Sequence, residues 1–175
     1  PSNLPYEGYT KPLPYILKKN ILTVIKTESN IGNRIIACII DYGIIYGFTF
    51  AMIFVLGSPN NEGTYELNGA SALVPIIFWL IMTVGLESGL GGTIGNSIVG
   101  LKAIPISGLN RKLTFAESFK RHLLDPIDMF FFGLVGIITI KNTPHNQRVG
   151  DLWAKTIVVQ MKNSTNNSIW KKDYV

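Results

Sequence analysis

Two long apolar runs, Ile35–Leu56 and Ala70–Leu86, dominate the hydrophobic pattern of the chain. Each comes near the twenty residues that a helix needs to cross the hydrocarbon of a bilayer, so the pattern predicts transmembrane helices over about 33–56 and 70–90. A third apolar run, Met129–Ile140, holds only twelve residues and follows Asp125–Pro126–Ile127–Asp128. A run that short dips into a membrane or lies at its surface more often than it spans it. The expected element is therefore a re-entrant or interfacial hairpin over about 115–140, broken at Pro126, with a third short membrane helix as the alternative.

The polar stretches predict the smaller elements. Ile21–Thr27 is rich in β-branched residues and suits a short strand, and Ser29–Asn33 then offers an N-cap for the first helix. Gly57–Ser58–Pro59–Asn60–Asn61 carries turn chemistry and ends that helix. The second helix starts near Ser71 and fades at Gly89–Leu90–Gly91–Gly92. Asn96–Ile106 and Lys112–Thr114 flank Ser107–Gly108–Leu109–Asn110 as a hairpin. Thr114 caps a helix through Leu124, with Glu117 as its capping-box partner. Leu152–Gln160 reads as a last strand, so strands over 21–27, 97–106 and 152–160 supply a small cytoplasmic sheet. The fold class expected is an all-α membrane protein with this β element. Its core, 21–160, lies between an irregular tail over 1–20 and a polar tail over 161–175.

Charge orients these elements. None of the 16 Lys and Arg residues lies between Ile35 and Gly91, and the loop Gly57–Gly69 carries Glu62 and Glu66 but no base. Loops rich in Lys and Arg stay cytoplasmic, so that loop is expected outside and both termini inside. Lys141, Arg148 and Lys155 follow the third run, which also disfavours a full third crossing. Composition agrees: 47% hydrophobic against 15% charged residues is more apolar surface than a soluble domain of 175 residues hides. The net charge of +5 reads as topology and lipid attraction, because no aromatic residues interleave the bases as a nucleic-acid groove requires. Membrane lipid is the expected partner.

Enzyme signals fail one by one. The single cysteine, Cys38, lies inside the first span and allows neither a disulfide framework nor a cysteine metal site. His122 and His145 are 23 residues apart with no second ligand nearby. Gly89–Leu90–Gly91–Gly92–Thr93–Ile94–Gly95 lacks the Gly-Lys-Ser/Thr ending of a phosphate loop. No nucleophile elbow sets a serine beside a histidine. Asn163–Ser164–Thr165 and Asn166–Asn167–Ser168 match the glycosylation pattern, but a cytoplasmic tail does not meet that machinery. The opening Pro1–Pro14 reads as an irregular tail rather than a cleavable signal. No catalytic residue, cofactor or metal is expected.

The candidate chemistry is a charged pair in apolar surroundings. Arg34 and Asp41 lie two helical turns apart on nearly the same face, about 10 Å along the axis, so each must find its partner elsewhere. An unpaired Asp at membrane depth costs about 2.5–3.5 kcal/mol, so its face must look at protein or water. Lys120, Arg121 and His122 are the candidate partners for Asp41, and Asp125, Asp128 or Asp151 for Arg34. Glu87, one turn from Gly91, reads as a solvated interfacial carboxylate. Gly43, Gly47 and Ala51 form a small-residue ridge, and Gly85 with Gly89 a second step, for helix packing within the chain or in a dimer seam.

Three segments together resemble the RDD family of bacterial membrane proteins. Asn33–Arg34–Ile35–Ile36–Ala37–Cys38–Ile39–Ile40–Asp41 is similar to the family's opening motif, an Arg at the start of the first helix and an Asp in its body. Thr93–Ile94–Gly95–Asn96–Ser97–Ile98–Val99–Gly100–Leu101 resembles its T-x-G-K-x-x-x-G-L segment, with Asn96 in place of the usual base. Arg148–Val149–Gly150–Asp151–Leu152–Trp153–Ala154–Lys155–Thr156 resembles its closing segment, with Asp151 as the second aspartate and Lys155 in place of a glycine. Arg121 sits where such proteins tend to carry an arginine. The resemblance implies an integral protein of the bacterial inner membrane and leaves its activity open. Two functions follow as expectations. One is a non-enzymatic subunit or homo-oligomer with a polar network of Arg34, Asp41, Arg121, Asp125, Asp128 and Asp151. The other is a small cation, proton or solute transporter using Asp41.

Overall fold

The computed structural model describes residues 27–108 and 111–161. Helix α1, Ile31–Leu56, has 26 residues and α2, Gly69–Leu90, has 22. At 1.5 Å per residue they are about 39 and 33 Å long, enough to cross a hydrocarbon core of about 30 Å. Little of either is covered. Ile39, Phe50, Phe54 and Val55 of α1 and Leu73, Ile76 and Ile77 of α2 are exposed large apolar side chains. Water would penalise each such surface by roughly 25 cal/mol per Å², and lipid would not.

Helix α2 changes pitch along its length. It opens with a 3₁₀ turn over Gly69–Ala72, continues as α-helix over Leu73–Leu80, widens into a π segment over Ile81–Gly85 and closes with Leu86–Leu90. Its buried side chains, Thr83, Val84 and Glu87, fall within or just after the π segment. Gly91, at φ 97°, ends the helix in a left-handed conformation that a side chain would strain. Between α1 and α2 the loop forms a miniature hairpin of β1, Ser58–Pro59, and β2, Tyr65–Glu66.

The second half of the chain is short-helical. Helix α3 covers Ile94–Ile98, strand β3 Leu101–Pro105, helix α4 Phe115–Leu123, α5 Asp125–Asp128, α6 Phe130–Asn142, α7 Val149–Ala154 and strand β4 Thr156–Gln160. The capping box holds as expected: Thr114 Oγ1 accepts from the Glu117 amide, and a Glu117 carboxylate oxygen accepts from the Thr114 amide. Strand β3 pairs antiparallel with β4, from Leu101 opposite Gln160 to Pro105 opposite Thr156. Leu101, Ala103, Leu113 and Val158 pack together at this sheet.

The structure corrects several sequence expectations. The hairpin of 96–106 with 112–114 does not form. Its first part holds α3, and β3 takes a distant partner whose buried Ile157 and Val158 match the inward residues of β3. The predicted strand 152–160 begins only at Thr156, because Val149–Ala154 is helical and Lys155 turns the chain at φ 55°. The strand expected over 21–27 lies outside the described residues except for Thr27, which is not in a strand. The break of the third apolar region is not at Pro126, which sits in the first turn of α5 where its missing N–H removes no bond. It falls at Phe131, Phe132 and Gly133, all with positive φ, and the pair Phe115–Asp128 and Phe130–Asn142 is bent by 116°. Such a bend fits a broken span or a re-entrant loop.

Candidate functional site

A closed set of ion pairs ties five of these elements together. Asp151, on the short helix α7, receives Arg34 Nη1 from α1 at 3.1 Å on Oδ2 and Arg121 Nη1 from α4 on Oδ1. Arg121 turns its Nε to Glu87 of α2 at 3.2 Å and shares its Nη1 with the Thr156 hydroxyl of β4 at 3.0 Å. Glu87 also accepts from the Ser118 hydroxyl at 2.6 Å. Both Arg121 and Glu87 are at most 2% exposed, so neither charge is tolerable without the other.

A second group extends the set. His122 Nδ1 lies 2.8 Å from Asp125 Oδ2, and its Nε2 is 3.4 Å from Glu87 Oε2. Both ring nitrogens thus face carboxylate oxygens, an arrangement that the doubly protonated ring serves with a donor on each side. Arg148 Nη1 lies 2.8 Å from Asp125 Oδ1, and its Nε is 3.8 Å from Asp128 and 3.6 Å from Asp151. Burial opposes the charge on Arg148, but Asp125, Asp151 and Asp128 outweigh it and raise its pKa above the ordinary arginine value. Burial likewise pushes the Asp151 carboxyl up, yet Arg121, Arg148 and Arg34 hold it below the usual carboxylate range. Tyr42 donates to Asp125 at 2.8 Å, and the Val149 and Gly150 amides donate to Asp128 at 2.8 and 3.0 Å.

Close backbone approach makes this possible. A Cβ at Gly150 would stand 2.4 Å from the Arg121 carbonyl oxygen, and one at Gly95 would stand 2.2 Å from that of Ala37. Glycine is required at both crossings, where α7 meets α4 and α3 meets α1.

The network expected from sequence is therefore divided. The structure brings Arg34, Arg121, Asp125, Asp128 and Asp151 into one set, but Asp41 stands apart from it. Instead of Lys120, Arg121 or His122, Asp41 takes the Thr93 hydroxyl and the Gly95 amide at the start of α3, each at 2.7 Å. Glu87 is the clearest correction: it is fully buried at the centre of the cluster rather than solvated. The widened turn before it keeps it on the inward face. Sequence reasoning also overlooked Arg148 as a member and Tyr42 and Thr93 as donors. A carboxylate closing an apolar run was the available signal for Glu87, and Arg148 stands three residues before Asp151. Open space surrounds Gly43, Gly47 and Gly89, and Gly85 meets only its own helix, so these glycines pack no other helix among the described residues. Ala51 is exposed as well. Among those residues no group of His, Cys, Asp and Glu has the arrangement of a metal site.

Two long apolar helices with uncovered faces, standing on a cluster of buried charge, point to a helical membrane protein. The sequence model of the RDD family matches residues 29–155, and the chain belongs to that family. No curated protein and no solved structure matches the chain significantly.

Proposed function

We propose that this chain is a non-enzymatic, multi-pass protein of the bacterial inner membrane with both termini cytoplasmic, working as a subunit of a membrane complex or as a homo-oligomer. Its charged cluster is a brace that locks the cytoplasmic ends of α1 and α2 to α4, α5 and α7. One observation carries this reading: Glu87, Asp125, Asp128 and Asp151 meet Arg34, Arg121, Arg148 and His122 one for one. A balanced, interlocked set of ions suits a fixed joint better than a moving charge carrier. Membrane lipid and other membrane subunits, or further copies of the chain, are its partners. Two spans and a bent hairpin are too few for an alternating-access path in one chain, which supports an assembly.

A second reading, a small cation, proton or solute transporter, rests on Asp41. That carboxylate has no ion pair among the described residues and lines a cleft. Purified protein in proteoliposomes separates the two. Under the brace reading neither the natural chain nor Asp41→Asn moves protons or common cations, and Arg121→Met sharply lowers folded yield. Flux that Asp41→Asn abolishes, at normal yield, would instead establish transport.

A further inference from the structure

Between α1 and α6 lies a cleft of about 510 Å³, within the range of small-ligand sites. Its lining joins two kinds of surface. One is polar, with Asp41, Tyr42, His122, Asp125 and the arginines of the brace, and the other is apolar, with Ile39 and Phe132. Ile39 and Phe132 are also among the exposed large apolar side chains. In the membrane placement proposed above, on which this inference rests, the mouth therefore opens to hydrocarbon rather than to water.

Arg34, Arg121 and Arg148 line the polar part, each paired within the brace, and Asp41, added to the brace, then leaves the carboxylates one ahead of the cations. The brace consumes its own cations, and Asp41 adds a carboxylate with no ion pair among the described residues. Thr93 and Gly95 occupy one lone pair on each Asp41 oxygen and leave acceptor capacity on both. Asp125 Oδ1 and His122 Nε2 belong to residues of the same lining but face Arg148 Nη1 at 2.8 Å and Glu87 Oε2 at 3.4 Å, so Asp41 is the carboxylate left for a ligand. The chemistry that answers such a slot is positive, rich in donors at one end and apolar at the other. A primary ammonium brings a charge and three donors. An anionic head would meet Asp41 while the lining arginines are already held by other carboxylates, and an inorganic cation would leave the apolar part of the cleft empty.

We propose that this cleft binds an amphiphile with a primary ammonium head, the head at Asp41 and the chain leaving between Ile39 and Phe132, with an aminophospholipid of the surrounding bilayer as the occupant.

Cys38 lines the same cleft and is the only cysteine of the chain, so it reports occupancy directly. The full chain in phosphatidylglycerol nanodiscs is alkylated with N-ethylmaleimide, with and without dodecylammonium. At ten times its dissociation constant the amine should slow the reaction about tenfold, while dodecyl sulfate and sodium ion should not. Phosphatidylethanolamine in the disc should slow it without added amine. Protection by the added amine alone would overturn the bilayer as source. Asp41→Asn should remove the protection. Should that variant fail to fold, Ile137→Trp, which fills the cleft and leaves the charges in place, should slow alkylation without any ligand and make the rate insensitive to amine. Equal protection by ammonium and sulfate, or by sodium ion, would overturn the proposal, as would no protection at all. Failure of the membrane placement would show differently, as a chain that stays in buffer and never enters the disc.

Discussion

Arg121 and Asp151 are 30 residues apart in sequence, yet the guanidinium of one donates to the carboxylate of the other inside the protein, with neither more than 2% exposed. Removing one partner strands the other charge, which costs about 3–5 kcal/mol for buried pairs. Asp151→Asn and Arg121→Met should each lower the unfolding midpoint in detergent and the yield of folded protein. The double variant Arg121→Met, Glu87→Leu should lose less than the sum of its parts, because it removes charges of both signs.

Acid should find the same joint. The pKa of Asp151 is depressed in the fold, so the stability it contributes is complete above the ordinary carboxylate value of about 3.9 and is lost as pH falls through the lower folded value. This group adds no slope between about pH 5 and 8, and unfolding should set in only below about pH 4. A melting temperature followed across pH 3 to 8 checks the sign.

Lys155 holds a left-handed backbone, φ 55° and ψ 51°, at the end of α7. A side chain there costs roughly 1–2 kcal/mol, which glycine escapes. Lys155→Gly should therefore stabilise the fold by about 1 kcal/mol, read as a raised unfolding midpoint. The resemblance noted a glycine at this place without supplying a reason, and the turn from α7 into β4 supplies it.

Gly95 and Gly47 make a matched contrast. A Cβ at Gly95 would overlap the Ala37 carbonyl, whereas one at Gly47 meets nothing within 4 Å. Gly95→Ala should lower folded yield, and Gly47→Ala should leave it unchanged in monodisperse detergent preparations.

Apolar length and charge placement made α1 and α2 legible, since both signals are local. The capping box at Thr114 and Glu117 was equally plain, being four residues long. What escaped were relations between distant segments. Strand β3 chose β4 across about a third of the chain, and no local pattern distinguishes that partner from a nearby hairpin. Glu87 looked like a helix end in water because its buried partners Arg121, His122 and Ser118 come from another helix. The break at Phe131–Gly133 rather than Pro126 escaped for a different reason: proline in a first turn is harmless, and left-handed phenylalanines have no sequence signature.

The most direct test of the whole account is sidedness. In a Cys38→Ser background, single cysteines at Thr64, in the loop between α1 and α2, and at Ser168, in the C-terminal tail, are labelled in intact cells with a membrane-impermeant maleimide. Thr64→Cys should react from outside and Ser168→Cys only after the membrane is opened. Labelling of both from one face, or recovery of the chain as a monomer in detergent-free buffer, would contradict it.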